Sequence, residues 1–296
     1  MTGHALVAVT GARGRVGRAL VAALRLRGTQ VAEWNRPDYQ LEDESSPARL
    51  VERDRPDVVI HAAAWTDVDG CAREPELAIR RNGQAVGWLA AACAKVGASM
   101  VFISTNEVFD GLRTDGQGYA EDDTVRPPNP YGASKLAGEQ EARKAYSVGG
   151  TAATLWIVRT AWIFGPPGND FPTKILAAAG RSGAAEPLRV VSDEMGSPTY
   201  TMDLAPAVLD LLCAARAGGT FHLAGEGAAS RFDVAATVLQ RCLPDARLAP
   251  ISRHEFDRPS APPAWAVLDC SRAAAFGVRL RAWDAALADY LAGVCS

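Results

Sequence analysis

The 296-residue sequence contains no run of 18 apolar residues, so no membrane-spanning helix is expected. Its 31 Lys and Arg are outnumbered by 34 Asp and Glu and never gather into a tract. That balance gives no footprint for nucleic acid, and no nucleic-acid or membrane partner is expected. There is no CxxC. The six cysteines (Cys71, Cys93, Cys213, Cys242, Cys270 and Cys295) are scattered, most of them in apolar helical surroundings. They are read as buried free thiols of a cytoplasmic protein. Four histidines (His4, His61, His222 and His254) lie far apart, without metal-ligand spacing, and no metal site is expected. Met1–His4 runs directly towards a strand, without the basic and apolar regions of a signal peptide. Internal repeats and low-complexity linkers are missing as well.

What is present centres on Tyr131-Gly-Ala-Ser-Lys135, which follows the turn Arg126-Pro-Pro-Asn-Pro130 and opens a helical run. Four residues apart, Tyr131 and Lys135 share one helix face. An ammonium there would favour the tyrosinate and lower the phenol's pKa, so that Tyr131 could exchange a proton near neutral pH while Lys135 also holds a cofactor.

Ala5–Thr10 reads as a buried strand, and Gly11-Ala-Arg13-Gly14-Arg15-Val16-Gly17 follows before helical periodicity begins. A glycine-rich turn between a strand and a helix cradles a pyrophosphate on backbone N–H groups. A second strand, Thr29–Glu33, ends just before Trp34-Asn35-Arg36, where a dinucleotide fold meets the adenosine ribose. Arg36 can pair with a 2'-phosphate, which leans towards NADPH, with NADH possible. Ala62, Ala63 and Ala64 end the third strand and allow close backbone approach, and Trp65–Asp69 reads as a loop. A helix over Glu76–Lys95 carries Asn82, either as a cross-link to the next strand's loop or facing solvent. Ser99–Ser104 delivers Thr105, a hydroxyl donor for a substrate oxygen, to the same edge. Later elements are strands at Thr154–Arg159, Leu188–Val191 and Gly219–Leu223, and helices at Asp170–Ala179, Tyr200–Leu212, Ser230–Leu243 and Trp283–Leu291. Ser230 is a helix cap, and His222, flanked by apolar residues, is a structural hydrogen-bonder.

These motifs resemble, over almost the whole chain, the dTDP-4-dehydrorhamnose reductase family of extended short-chain dehydrogenase/reductases. The resemblance is carried by Thr10-Gly11 with Gly14 and Gly17, and by Arg55–Asp69 and Glu74–Ala78. It continues through Ser104-Thr105 with Val108–Gly111, Tyr131 with Lys135 and Gly138-Glu139, and Arg159–Gly165. Gly196–Thr199, Asp203–Ala205, Arg258-Pro259 and Leu268-Asp269 extend it into the C-terminal part.

The resemblance implies reduction of a nucleotide-linked 4-keto-6-deoxyhexose, of the kind that turns dTDP-4-dehydrorhamnose into dTDP-rhamnose, by NAD(P)H. It assigns Thr105, Tyr131 and Lys135 to catalysis, and Gly11–Gly17, Asn35, Arg36, Ala62–Ala64 and Thr66 to the cofactor. Val68, Asn106, Glu107 and Trp162, with Thr105, fall to the substrate. The resemblance implies that some members are dimers, in certain cases bridged by magnesium through acidic residues; Arg13 and Arg15 make this loop basic, so no metal is expected, and the chain is expected as a monomer or homodimer. Thr105-Asn106-Glu107 departs from the family's Thr-Asp-Tyr and resembles the Thr-Asp-Glu of sugar-nucleotide dehydratases, although Asn106 has no proton to give. Two alternatives stay open: a nucleotide-binding regulatory subunit resembling that of methionine adenosyltransferase, and a dehydratase or epimerase. The expected fold is α/β, a Rossmann-like parallel sheet over residues 1–160 to which 199–223 return. A discontinuous substrate domain is expected from 161–198 and 224–282, followed by a C-terminal helix over 283–296.

Overall fold

The computed structural model describes residues 5–148, 153–182 and 186–295. Residues 1–4, including the run-in to the first strand, lie outside the described residues, as does Ser296. Strand and helix alternate at first: β1 (Leu6–Thr10), α1 (Arg15–Leu26), β2 (Gln30–Trp34), α2 (Ser45–Asp54) and β3 (Val58–His61). There follow α3 (Val68–Arg73), α4 (Pro75–Ile79), a π-helical stretch at Arg80–Gln84, α5 (Ala85–Val96) and β4 (Ser99–Thr105). A 3-10 turn at Asn106–Val108 precedes α6 (Pro130–Val148) and β5 (Leu155–Thr160).

The remainder is more broken. It comprises β6 (Ile163–Phe164), α7 (Phe171–Ser182), β7 (Leu188–Val191), β8 (Met195–Gly196), β9 (Thr199–Tyr200), α8 (Thr201–Ala214) and β10 (Gly219–His222). After these come β11 (Ala229–Ser230), α9 (Arg231–Cys242), β12 (Leu248–Ile251), α10 (Ser271–Ala275) and α11 (Trp283–Ala292).

Six strands form one parallel sheet in the order β10-β5-β4-β3-β1-β2. Strand order reverses between β1 and β3, and there the carboxyl ends of the strands open a crevice. Both faces are covered, which explains why the strands read as continuous apolar runs. Val7 and Val9 point into one core with α1 and α8, while Ala8 points into the other with α2 and α5. Phe102 and Ile157 join the second core, Val101 and Val158 the first. A third core gathers Ile175, Val234, Leu239, Leu287 and Leu291 from α7, α9 and α11. The last helix thus shares a core with the segment around the crevice.

Three local readings change. The helix expected over Glu76–Lys95 is interrupted by the π-helical stretch, because Asn82 within it is buried and bonded to two other segments. Val68 opens a short helix where a loop was expected, its first turn capped by the Asp67 carboxylate accepting from Gly70 N at 2.9 Å. The cysteines are not uniformly buried thiols. Cys71 and Cys93 are buried and unbridged, but Cys213 is exposed, and Cys242 and Cys295 form a disulfide. Packing of α11 on α9 brings that pair together across 53 residues, a proximity that cysteine spacing in the sequence does not reveal.

No helix of the described residues is long and apolar enough to cross a membrane.

Candidate active site

The crevice at the reversal of strand order has a volume of about 480 Å³. One wall begins where β1 turns into α1. Gly11 adopts φ +62°, and a side chain at Gly17 would place its Cβ 2.1 Å from the Gly11 carbonyl oxygen. Only bare backbone makes this turn, which leaves the N-terminal amides of α1 facing the crevice. Gly14, Val16 and Gly17 line it, with Ala62, Ala64, Thr66 and Val68 opposite. Ala63 lies behind this surface, in contact distance of Gly11, and its N–H donates to the Thr10 hydroxyl at 3.1 Å.

Asn35 ties the end of β2 to the loop by accepting from Arg13 N at 2.9 Å. Arg13 and Arg36 are exposed, with neither guanidinium bonded among the described residues. Glu33, the acid nearest this end of the strand, is drawn aside to Arg25 at 2.5 Å. A glycine turn at a helix N-terminus, flanked by free guanidiniums and with its acid neutralised, fits a dinucleotide carrying a 2'-phosphate. Arg15 does something else. Its donors close on the carbonyls of Gly165, Gly168 and Asn169 at 2.8–3.2 Å, so it clamps the segment after β6 to the loop.

The second wall is built from β4, its 3-10 turn and α6. Gly132 is what lets them meet: a Cβ there would lie 2.1 Å from the Glu107 carbonyl oxygen. Asn129 organises the approach, accepting from Gly132 N at 2.8 Å and donating to Glu107 Oε2 at 2.7 Å. Tyr131 is thereby brought beside Thr105, and both line the crevice with Asn106, Glu107 and Trp162. The Asn106 side chain is fixed, donating to Ala266 O at 3.0 Å and accepting from Thr105 Oγ1 at 3.3 Å.

Lys135 sits one turn further along α6 and is buried. Its Nζ donates to Ile103 O at 2.8 Å and lies 4.2 Å from the Phe102 ring centroid. Burial pushes the ammonium's pKa down to about 7, partly opposed by Glu139. The expectation of a Lys-stabilised tyrosinate is overturned. Burial first, and then the Glu107 charge, push the Tyr131 phenol well above its ordinary value, and an interaction with Thr105 recovers only part of that. Burial thus holds Tyr131 as a neutral phenol near neutral pH.

Asn82 settles between its two readings in a third way. It is a cross-link, but to the loop after the preceding strand, β3: it accepts from Trp65 N at 2.8 Å and donates to Trp65 O at 2.9 Å. It also donates to Ser134 Oγ at 3.1 Å, which joins that loop to the Tyr131 helix. His222 accepts the role expected of it. It is fully buried, its Nδ1 is 3.1 Å from Asp269 O, and burial holds its pKa near 4.

Sequence reading missed Asn129 and Arg231. Arg231 opens α9 and faces the crevice with its guanidinium 3.6 Å from the Trp162 ring centroid. Arg231 sits in a stretch that carries no motif signal, and only the fold brings it to the crevice; Asn129 lies in the turn just before Tyr131, but spacing does not reveal its bonds to Gly132 and Glu107.

A family model described as the RmlD substrate binding domain matches residues 5–295. The chain belongs to this family. Within it, the chain is 38% identical to the dTDP-4-dehydrorhamnose reductase of Mycolicibacterium smegmatis, over 97% of its own length and 85% of the relative's. It is 37% identical to a dTDP-4-keto-6-deoxy-D-glucose reductase of Streptomyces niveus, over 77% of this chain and 75% of that one. Among solved structures, the Bacillus anthracis dTDP-4-dehydrorhamnose reductase in complex with NADP superposes with a TM-score of 0.87. The two are 30% identical, covering 98% of this chain and 99% of that one. RmlD-family membership and the doubly wound sheet agree with each other.

Proposed function

We propose that this protein is an NADPH-dependent reductase of a dTDP-linked 4-keto-6-deoxyhexose, with dTDP-4-dehydrorhamnose as the substrate and dTDP-rhamnose as the product. The observation that carries the reading is the meeting of Thr105 and a neutral Tyr131 at the mouth of a glycine-loop crevice. Relatives named for this reaction, one of them solved with NADP, support it.

When bound, NADPH supplies the hydride to C4 of the sugar. Thr105 donates its hydroxyl to the C4 oxygen and holds it towards Tyr131. The Tyr131 phenol gives its proton to that oxygen as negative charge develops there. Its raised pKa suits an acid more than a base, and reduction requires an acid at this oxygen. Lys135 anchors the nicotinamide ribose. Arg36 and Arg13 take the 2'-phosphate, and the α1 amides take the pyrophosphate. Asn106, with both ends of its amide engaged and no acidic proton, gives no support to a dehydratase. A cytoplasmic location goes with this reading, since NADPH-dependent reduction of a nucleotide sugar draws on the cell's reduced cofactor.

Tyr131→Phe tests the reading. Removing the hydroxyl while keeping the ring should lower turnover by roughly 10²–10⁴, with cofactor affinity little changed. Near-normal turnover on the best keto sugar would defeat the mechanism and favour a nucleotide-binding regulatory role.

A further inference from the structure

Two opposite charges face the crevice beside Tyr131 and are not used by the reduction itself. Glu107 follows Thr105 by two residues, and its N–H donates to the Thr105 hydroxyl at 3.2 Å. Asn129 holds Oε2 from behind, while Oε1 has no hydrogen bond among the described residues. Arg231 approaches from α9. Its guanidinium lies over Trp162 at 3.6 Å and 5.2 Å from the Phe171 ring centroid, and it makes no hydrogen bond among the described residues.

The two neighbouring charges behave differently. Arg258 is ion-paired to Glu194, and Arg15 is spent on backbone carbonyls. Arg231 is a partly buried cation on the crevice lining, seated against two rings and with its donors unspent. Unspent donors on a cation lining a cleft are available to a ligand's acceptors. Trp162 is not free to stack on a sugar: Arg231 covers one side of the indole, and Gly196 abuts the ring closely enough that a Cβ there would come within 2.4 Å. The indole acts as a platform for the guanidinium.

A carboxylate that accepts and a guanidinium that donates, set around one small volume, match a sugar hydroxyl, which both donates and accepts. The anchor is the carbonyl carbon at Thr105 and Tyr131. Of the two ring carbons flanking C4, C3 carries a hydroxyl in this substrate class and C5 carries the methyl-bearing branch.

We propose that Glu107 and Arg231 together read the hydroxyl at C3. The protein thus selects 4-keto-6-deoxyhexose nucleotides that retain it and rejects their 3-deoxy counterparts. This rests on the reductase reading and adds the substrate feature that the pocket recognises.

The test compares a dTDP-4-keto-6-deoxyhexose with its 3-deoxy analogue, by NADPH oxidation, in the wild type, Glu107→Ala and Arg231→Met. In the wild type the parent sugar should be favoured in kcat/KM by about 10- to 100-fold, the range for hydrogen bonds to charged groups. Each variant should collapse that preference towards unity, chiefly by losing activity on the parent sugar. NADPH titration reports on folding. A variant that no longer binds cofactor is replaced by Glu107→Gln or Arg231→Lys, which should keep part of the preference.

Equal use of the two sugars by the wild type, or a preference that survives in both variants, overturns the proposal and leaves the reductase reading intact. A wild type inert towards both sugars removes that reading, and this inference with it.

Discussion

Arg159 closes on Glu139 with two donors, Nε at 2.9 Å and Nη2 at 2.8 Å, where neither side chain meets solvent. Ser104 adds a third bond to the same carboxylate at 2.7 Å. The pair joins β5 to the helix that carries Tyr131 and Lys135, and Ser104 joins β4 to it as well. The position of α6 therefore depends on a buried charge pair beneath it.

Removing one partner should be far worse than removing a surface pair. Arg159→Met takes away the buried partner of a buried carboxylate, leaving it, as a cation, only the more exposed Arg143 at 3.2 Å, and should cost about 3 kcal/mol in chemical denaturation. Burial raises the Glu139 carboxyl's pKa, but Arg159 outweighs it, and the net direction is down. A group held low when folded stabilises above its unfolded pKa and loses that contribution as pH falls through the folded one. The wild type should thus lose stability on acidification, and Glu139→Gln should flatten that limb. Equal acid sensitivity in the two proteins would remove the pair from the explanation.

Lys135 gives a second pH dependence, of opposite cause. Its pKa falls to about 7, so the native protein sheds this proton while the unfolded chain keeps it to about 10. Across that window the unfolded state binds more protons, and the contribution of Lys135 to stability rises with pH. Cofactor binding should run the other way. The ammonium disappears as pH rises through about 7, so the NADPH Kd should increase there. Lys135→Met should bind weakly at every pH, without the step. A step of equal size in that variant would assign it to another group.

Arg36 stands exposed at the end of β2 while Glu33 is held by Arg25. Arg36→Ala should raise KM for NADPH by about tenfold, the scale of a charge-assisted hydrogen bond, and leave NADH nearly unaffected. Parallel changes for the two cofactors would deny Arg36 a role at the 2'-phosphate.

Much of this was legible in the sequence because the part from β1 to α6 is built from contiguous motifs. The glycine turn, the Ala62–Ala64 strand end and Tyr131/Lys135 each announce a local backbone requirement, and each stands where a strand–helix junction would put it. Asn129 and Glu139 stand in recognisable stretches, but nothing local names their partners, and Arg231 stands in none. Their partners are 22 residues away for Asn129 with Glu107 and 20 for Glu139 with Arg159, while Arg231 meets Trp162 from the far side of the crevice. The phenol's pKa was misjudged for a related reason. Helical spacing sets which residues share a face, but it cannot say how deeply the phenol is buried or that Glu107 lies beside it. The C-terminal cysteines escaped for want of a motif, since only the docking of α11 makes Cys242 and Cys295 neighbours.

The return of the chain to the sheet bears on how the protein is made. β10 pairs with β5 in register from Gly219 opposite Trp156 to His222 opposite Arg159. During synthesis, β5 emerges with one edge unclosed, and it stays so while α7, β7 and α8 are added. The apolar side of α1 likewise waits for α8. The six-stranded sheet can finish only after everything up to β10 has left the ribosome. A nascent chain arrested before residue 219 is then expected to be an aggregation-prone, protease-sensitive species, and one arrested beyond it a folded platform on which the rest assembles.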